Sequence, residues 1–294
     1  MKVIVAKDKN LERHSFFVKL VRVFSVPILN LIPASFLQKF MRSSSYDAEV
    51  ILENVGSAKA LEVMYGRYKR KLFSRGFFQG IADLFWHHFV SQPKGVRNRL
   101  KIVKDNLDNE VKMILERKLD KKISILTIGG GSARGIVEVL DKYSEQLKDW
   151  DVSVINVDKS LKAIELGKEL AKEFNLQDKF KWINDLAQNV ANLVEKNSID
   201  IVEMVGLLDY FRDEKAKETF CRIYDILKQD GLFMAGNIMP NSEQPFILRL
   251  GWPKMYYRKA EELSRLLTES GFLQEKAKII LEPLKNHIVA VVKK

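Results

Sequence analysis

The hydrophobic pattern divides the chain near residue 120. Beyond it, apolar runs of strand length alternate with amphipathic stretches. Ile123–Ile128, Val152–Val157, Lys179–Ile183, Ile199–Val205 and Leu232–Ala235 read as strands, with Arg134–Leu147, Leu161–Phe174 and Glu214–Lys228 as helices between them. This alternation predicts βαβ units and a parallel sheet covered on both faces. A further helix, Ala260–Ser270, stops at Gly271, and the strands Ala277–Leu281 and Ile288–Val292 follow. Only the turn Pro283–Asn286 separates these two, so they pair antiparallel, because a parallel pair needs a crossover of roughly a dozen residues. The expected fold is α/β: a doubly wound, seven-stranded, mostly parallel sheet with an antiparallel last strand, over residues 121–294.

Residues 1–120 show helical periodicity, with a strand signal only at Val3–Ala6. Ser45 is placed to cap a helix from Tyr46, with Val50, Leu52, Val55, Leu61 and Met64 as its apolar positions. Phe73–Val90 is dense in aromatics, and Pro93 and Gly95 are expected to break the chain before a long amphipathic helix. That helix carries the stripe Val96, Leu100, Val103, Leu107, Val111, Ile114, Leu115. It runs straight into the first strand of the sheet, so it should pack there without a flexible linker. This helical half is the expected substrate cover.

Composition narrows the picture. With 46% hydrophobic and 30% charged residues the chain is globular, and its net charge of +11 favours an acidic partner, whether nucleic acid, an anionic membrane or a small anion. A single cysteine, Cys221, excludes a disulfide framework and a cysteine-based metal cluster, and it reads as a small buried residue. No metal is expected. Lys7, Asp8, Lys9, Glu12 and Arg13 precede any apolar run, which argues against a signal peptide, and Val23–Leu37 is short for a span and holds Pro27 and Pro33. A cytoplasmic protein is expected. Arg67, Lys69, Arg70, Lys71 and Arg75, interleaved with Phe73, Phe77 and Phe78, form a basic stretch for peripheral membrane contact. Phe16–Leu37, with Lys19 and Arg22, reads equally as a surface-seeking segment or as a lid.

Three stretches carry candidate chemistry. In Ile123–Gly135, Gly129, Gly130 and Gly131 make a strand-to-helix turn where backbone can approach a ligand. The dinucleotide fingerprint would need glycine at 134, which is Arg134. Asp158, followed by Lys159, ends the second strand, where a carboxylate can accept from ribose hydroxyls. The fourth strand ends in Val205-Gly206-Leu207-Leu208-Asp209-Tyr210, beside the glycine turn by the carboxyl-end rule.

The glycine turn, Asp158, the Val205–Tyr210 turn and the terminal hairpin together resemble class I S-adenosylmethionine-dependent methyltransferases. More narrowly, Gly206–Tyr210, Gly251–Arg258 (Gly-Trp-Pro-Lys-Met-Tyr-Tyr-Arg) and Pro93–Arg99 resemble a bacterial subgroup with a helical N-terminal extension. That subgroup includes proteins similar to an enzyme forming the methyl ester of a hydroxy fatty acid. The resemblance implies a Rossmann-like methyltransferase fold and S-adenosylmethionine as cofactor. It implies Gly129, Gly130, Gly131, Val205 and Gly206 along the methionine part, Asp158 and Lys159 at the ribose, and Asn184 and Asp185 near adenine. Such enzymes carry an acidic residue two before the first glycine, for the methionine amino group; here it is Thr127, so that task falls to backbone carbonyls or another side chain.

The expected activity is O-methylation, including carboxyl methylation, of a small or lipid-like acceptor. Asp209, Tyr210, Tyr257 and Arg258 are the candidates for the acceptor face, with His87, His88 and Trp86 beside it. A carboxylate acceptor needs no base, and Arg97, Arg99 or Arg258 is available to hold it. The alternatives are a nucleic-acid methyltransferase, although no Asn-Pro-Pro-Tyr-like turn follows the fourth strand, a non-catalytic S-adenosylmethionine-binding partner protein, and a dehydrogenase.

Overall fold

The computed structural model describes residues 1–66, 73–74, 76–117 and 120–294. Among these, eight strands form one sheet: β1 (Lys2–Val5), β2 (Lys122–Ile128), β3 (Asp151–Asp158), β4 (Phe180–Asn184), β5 (Ile199–Val205), β6 (Leu227–Ile238), β7 (Ala277–Leu281) and β8 (His287–Lys293). Their order is β1-β7-β8-β6-β5-β2-β3-β4, and β8 alone runs antiparallel to its neighbours β6 and β7. The expected seven strands thus become eight. The addition is β1, the Val3–Ala6 signal, which pairs parallel with β7 from Lys2↔Lys278 to Val5↔Leu281.

Helices cover both faces. On one, α6 (Ser91–Arg117), α7 (Arg134–Lys142) and α8 (Leu161–Glu173) bury Val103, Leu107, Val111, Ile136 and Leu170 against β2 and β3. On the other, α9 (Asp213–Ile226) and α11 (Ala260–Glu269) bury Phe220, Ile223, Leu263 and Leu267. A fully buried side chain of this kind contributes about 1.5–3 kcal/mol, which is why β2, buried on both faces, lies inside the sheet between β5 and β3. Cys221 departs from expectation: it is exposed. At 100° per residue it follows Phe220 onto the outer face of α9, away from Ala216, Phe220 and Ile223.

The N-terminal helices α1 (Phe16–Leu29), α2 (Ala34–Ser44), α3 (Tyr46–Glu53) and α4 (Ala58–Gly66) share a third core with α10 (Gln244–Arg249) and with Ile238 at the end of β6, and α5 (Phe77–Leu84) packs against α2 and α3. They therefore sit over the carboxyl ends of the strands. Ser45 caps α3 as expected, its side chain accepting from Ala48 N. The pattern read on through Met64 is two helices, because the chain turns at Gly56 with φ +71. Nor do Pro93 and Gly95 break the chain; α6 begins at Ser91. A proline in the first turn lacks only an N–H that would have no helical partner. Gly95 faces His287, where a Cβ would approach the ring carbon Cδ2 to 2.9 Å, so its smallness serves packing.

Candidate functional site

The glycine turn after β2 is shaped by backbone geometry. Gly129 and Gly131 have φ +63 and +57, and Gly129 N donates to the Val157 carbonyl at 2.7 Å. A Cβ on Gly130 would overlap Thr127 Oγ1 and Asn156 Oδ1, so only glycine fits above that buried pair. Ala133, in the left-handed region at φ 52, then starts α7. Arg134, at the edge of the cleft that follows, pairs with Glu62 of α4 and with Glu138, and Ser132 Oγ donates to Glu62 at 2.6 Å. These contacts fasten the helical layer to the turn.

The turn opens into a cleft of about 600 Å³ at the carboxyl ends of β2, β3 and β5. Of the residues expected around a cofactor, Gly129, Gly130, Gly131, Asp158, Lys159, Asp185, Val205 and Gly206 line it. Asn184 does not; its amide donates to the Asp158 carbonyl at 3.0 Å. Asp158 itself accepts from Gly131 N at 3.0 Å and Ser160 N at 2.8 Å, so its carboxylate is held in position by the turn it faces. Asp185 Oδ1 accepts from Leu186 N and Asn189 Nδ2.

Sequence reasoning missed Glu203. It lies on β5 directly beside Thr127 in the β2–β5 register and lines the cleft. Thr127 Oγ1 donates to Glu203 Oε2 at 2.6 Å. Burial pushes this carboxyl up to about 7, against the opposing pull of the Thr127 hydroxyl and the Arg99 charge. The resemblance calls for a carboxylate on the first strand of the domain, and Glu203 sets one on the neighbouring strand, beside Thr127. The detectable signal is an acid in the second half of a mostly apolar strand, three residues after Asp200.

A second, smaller cavity of about 70 Å³ adjoins the cleft, sharing Gly56, Ser57, Leu61, Gly206 and Tyr210 with it. Its walls are mostly apolar (Met64, Trp86, Val96, Ile238, Ile247, Trp252, Met255), but Arg99, Gln92 and His287 also reach it. Arg99 Nε, Gln92 Nε2, Trp86 Nε1 and both His287 ring nitrogens are buried and have no hydrogen-bond partner among the described residues. Native interiors rarely leave such groups unpaired, so this cluster marks a place for a polar ligand group. Burial, and secondarily the Arg99 charge, keeps His287 well below its usual range, hence neutral.

Of the residues expected at the acceptor face, Asp209 and Tyr210 line this cavity. Asp209 is buried, accepts from Ile238 N at 2.6 Å and Asn237 Nδ2 at 3.0 Å, and lies 3.6 Å from Arg99 Nη1. Its burial pushes the carboxyl up. The Tyr210 hydroxyl accepts from Trp252 Nε1 at 3.2 Å. Tyr257 and Arg258 line neither cavity. The Tyr257 hydroxyl, pushed up to about 12 first by burial and then by Asp209, is buried without a hydrogen-bond partner among the described residues. Arg258 donates to Asp213, Asn237 Oδ1 and the carbonyls of Leu208 and Phe211, which makes it a clamp under the turn. His87 is buried against Asp47 at 2.7 Å, His88 is exposed, and Arg97 pairs with Glu12 at 2.6 Å. The basic residues Arg67, Lys69, Arg70, Lys71 and Arg75 lie outside the described residues.

A cleft of this volume suits a cofactor-sized ligand, and the Gly130 cradle and the Asp158 and Glu203 carboxylates fit the turn, ribose and ammonium of S-adenosylmethionine. Comparison with known proteins agrees. No curated protein matches the chain. Residues 125–231 match a protein-family model described as a methyltransferase domain. The fold is similar to that of a possible exported protein from Bordetella parapertussis, with 14% identity over 90% of this chain and 97% of that one and a TM-score of 0.60. It is also similar to an O-methyltransferase family protein from Burkholderia thailandensis, with 11% identity over 80% of this chain and 68% of that one and a TM-score of 0.50. At these identities the two structures show a shared fold. Residues 125–231, from β2 to the start of β6, are similar to methyltransferase domains, a class whose cofactor is S-adenosylmethionine.

Proposed function

We propose that the chain transfers a methyl group from S-adenosylmethionine to an oxygen of a small or lipid-like acceptor, a carboxylate oxygen suiting the side chains best, with residues 1–120 as the substrate cover. One observation carries this reading: the cofactor-sized cleft and an apolar cavity with unpaired buried donors share a wall at Gly206 and Tyr210. It accords with the narrower resemblance to the bacterial subgroup marked by Gly206–Tyr210.

Gly129, Gly130, Gly131, Val205 and Gly206 would flank the methionine part, with Glu203 meeting its ammonium. Asp158 and Lys159 would hold the ribose, with Asp185, braced by Asn184 and its turn, toward adenine. Bound S-adenosylmethionine supplies an electrophilic methyl on a sulfonium. Arg99 would orient an acceptor carboxylate, and Gln92 and neutral His287 can donate to it. A carboxylate carries no proton at neutral pH, so no base is needed. The apolar walls exclude water and receive the acceptor's hydrocarbon part. Alignment rather than proton transfer then dominates the rate.

The test is the melting temperature with S-adenosylhomocysteine against NAD. The sulfur ligand should raise it and NAD should not, and Asp158→Ala should abolish the rise. A chain stabilised by NAD alone, or by neither ligand, overturns the proposal.

A further inference from the structure

Helix α1 is held to the body by few groups. Arg22 pairs with Glu243 at 2.7 Å and donates to the Phe89 carbonyl, Asn30 bonds Ser242 and Phe246, and among its residues only Val26 is buried. The rest of its surface is apolar and open: Phe16 is 84% exposed, Phe17 71% and Phe24 69%, with Leu31 just beyond at 78%. Phe36 and Phe40 of α2 add an exposed stacked pair with centroids 6.3 Å apart. At roughly 200 Å² per ring, the three α1 phenylalanines alone rival the largest apolar patch of an ordinary monomer. A patch of this size asks for an occupant.

Charge selects one. From His14 to Tyr46 the sequence holds no Asp or Glu, while Lys19, Arg22, Lys39 and Arg42 lie among the phenylalanines. Lys19, Lys39 and Arg42 are exposed and have no carboxylate partner among the described residues. A second copy would bring like charges together across a self-complementary contact. An anionic lipid surface instead accepts both the rings and the cations. At 14 residues α1 spans only about 21 Å, against about 30 Å of hydrocarbon, so it suits the plane of the interface. No helix of the structure, among the described residues, is long and apolar enough to cross a membrane.

We propose that the outer face of α1, with Phe36 and Phe40, docks on an anionic lipid surface. The segments under α1 also build the wall of the apolar cavity: Phe89 and Glu243 hold the helix, while Trp86 and Ile247, a few residues away, line the cavity. Docking therefore sets the acceptor site close beneath the headgroups. The docking surface itself stands independently of the methyl-transfer reading.

The full chain is sedimented with vesicles of phosphatidylcholine, with and without phosphatidylglycerol, and compared with Phe17→Ser/Phe24→Ser and with Lys19→Glu/Lys39→Glu. Wild type should pellet with the anionic vesicles and be released by salt. The phenylalanine double variant should bind about 100-fold more weakly, since two rings leave the interface. The lysine variant should lose the preference for anionic lipid. Both should keep the melting shift given by S-adenosylhomocysteine. The proposal fails if wild type stays in the supernatant, or if the phenylalanine variant pellets equally. It also fails if wild type is a dimer that this variant converts to monomer without vesicle binding.

Discussion

Glu203 offers a test in which two effects of one substitution have opposite sign. Burial raises its carboxyl from 4.5 to about 7, so between those values the folded protein holds a proton that the unfolded chain releases. Stability is therefore full below about pH 4.5 and falls as pH rises to about 7. The difference of about 2.5 units corresponds to about 3 kcal/mol, an order-of-magnitude figure for a buried group. Glu203→Gln keeps the shape and an oxygen for the Thr127 hydroxyl but removes the charge. The free variant should match wild type near pH 4 and be more stable at pH 8, by up to about 3 kcal/mol or roughly 5 °C in melting temperature. Its affinity for S-adenosylhomocysteine at pH 8 should drop about 10–100-fold, because a charge-assisted bond to the ammonium is gone. 5′-Methylthioadenosine, which has no amino acid part, should bind both proteins alike. Differential scanning fluorimetry and calorimetric titration read these quantities. Unchanged melting at pH 8 together with unchanged S-adenosylhomocysteine affinity would refute the reasoning.

Two further substitutions probe the frame. Gly130→Ala drives a methyl into Thr127 and Asn156, both buried, and should cost about 1–3 kcal/mol in urea unfolding while weakening S-adenosylhomocysteine; an unperturbed unfolding midpoint would mean that the turn yields. Arg258→Ala strips donors from Leu208, Phe211 and Asn237 and should cost about 3 kcal/mol, with ligand affinity in the remaining folded protein little changed. Lost affinity at full stability would instead put Arg258 in the site.

Strands buried on both faces announced themselves in the sequence. Ile199–Val205 and Ala277–Leu281 are legible to the residue, since mostly apolar runs bounded by turns outweigh Asp200, Glu203 and Lys278 within them. β1 was seen as a signal but not as a member of the sheet, because its partner β7 lies at the other end of the chain. The start of α6 was misjudged for a similar reason: His287 explains Gly95, and nothing near residue 95 does. Among the site residues, Asp158 and the glycine turn are local features of one βαβ unit, and the structure brings them to one cleft. Glu203 needed the β2–β5 register to gain meaning beside Thr127. Arg258 was read from a motif of residue types, but its bonds run inward.

The pairing of β1 with β7 bears on how ligands could come and go. The helical layer is anchored to the sheet at its beginning by β1 and at its end by α6, and Glu62 pins it again at Arg134. A segment tied at both ends has no single hinge, so it cannot swing away as one rigid body. Traffic into the inner cavity then depends on small local displacements, with the Gly56–Ser57 link between α3 and α4 the natural gate, since it borders both cavities.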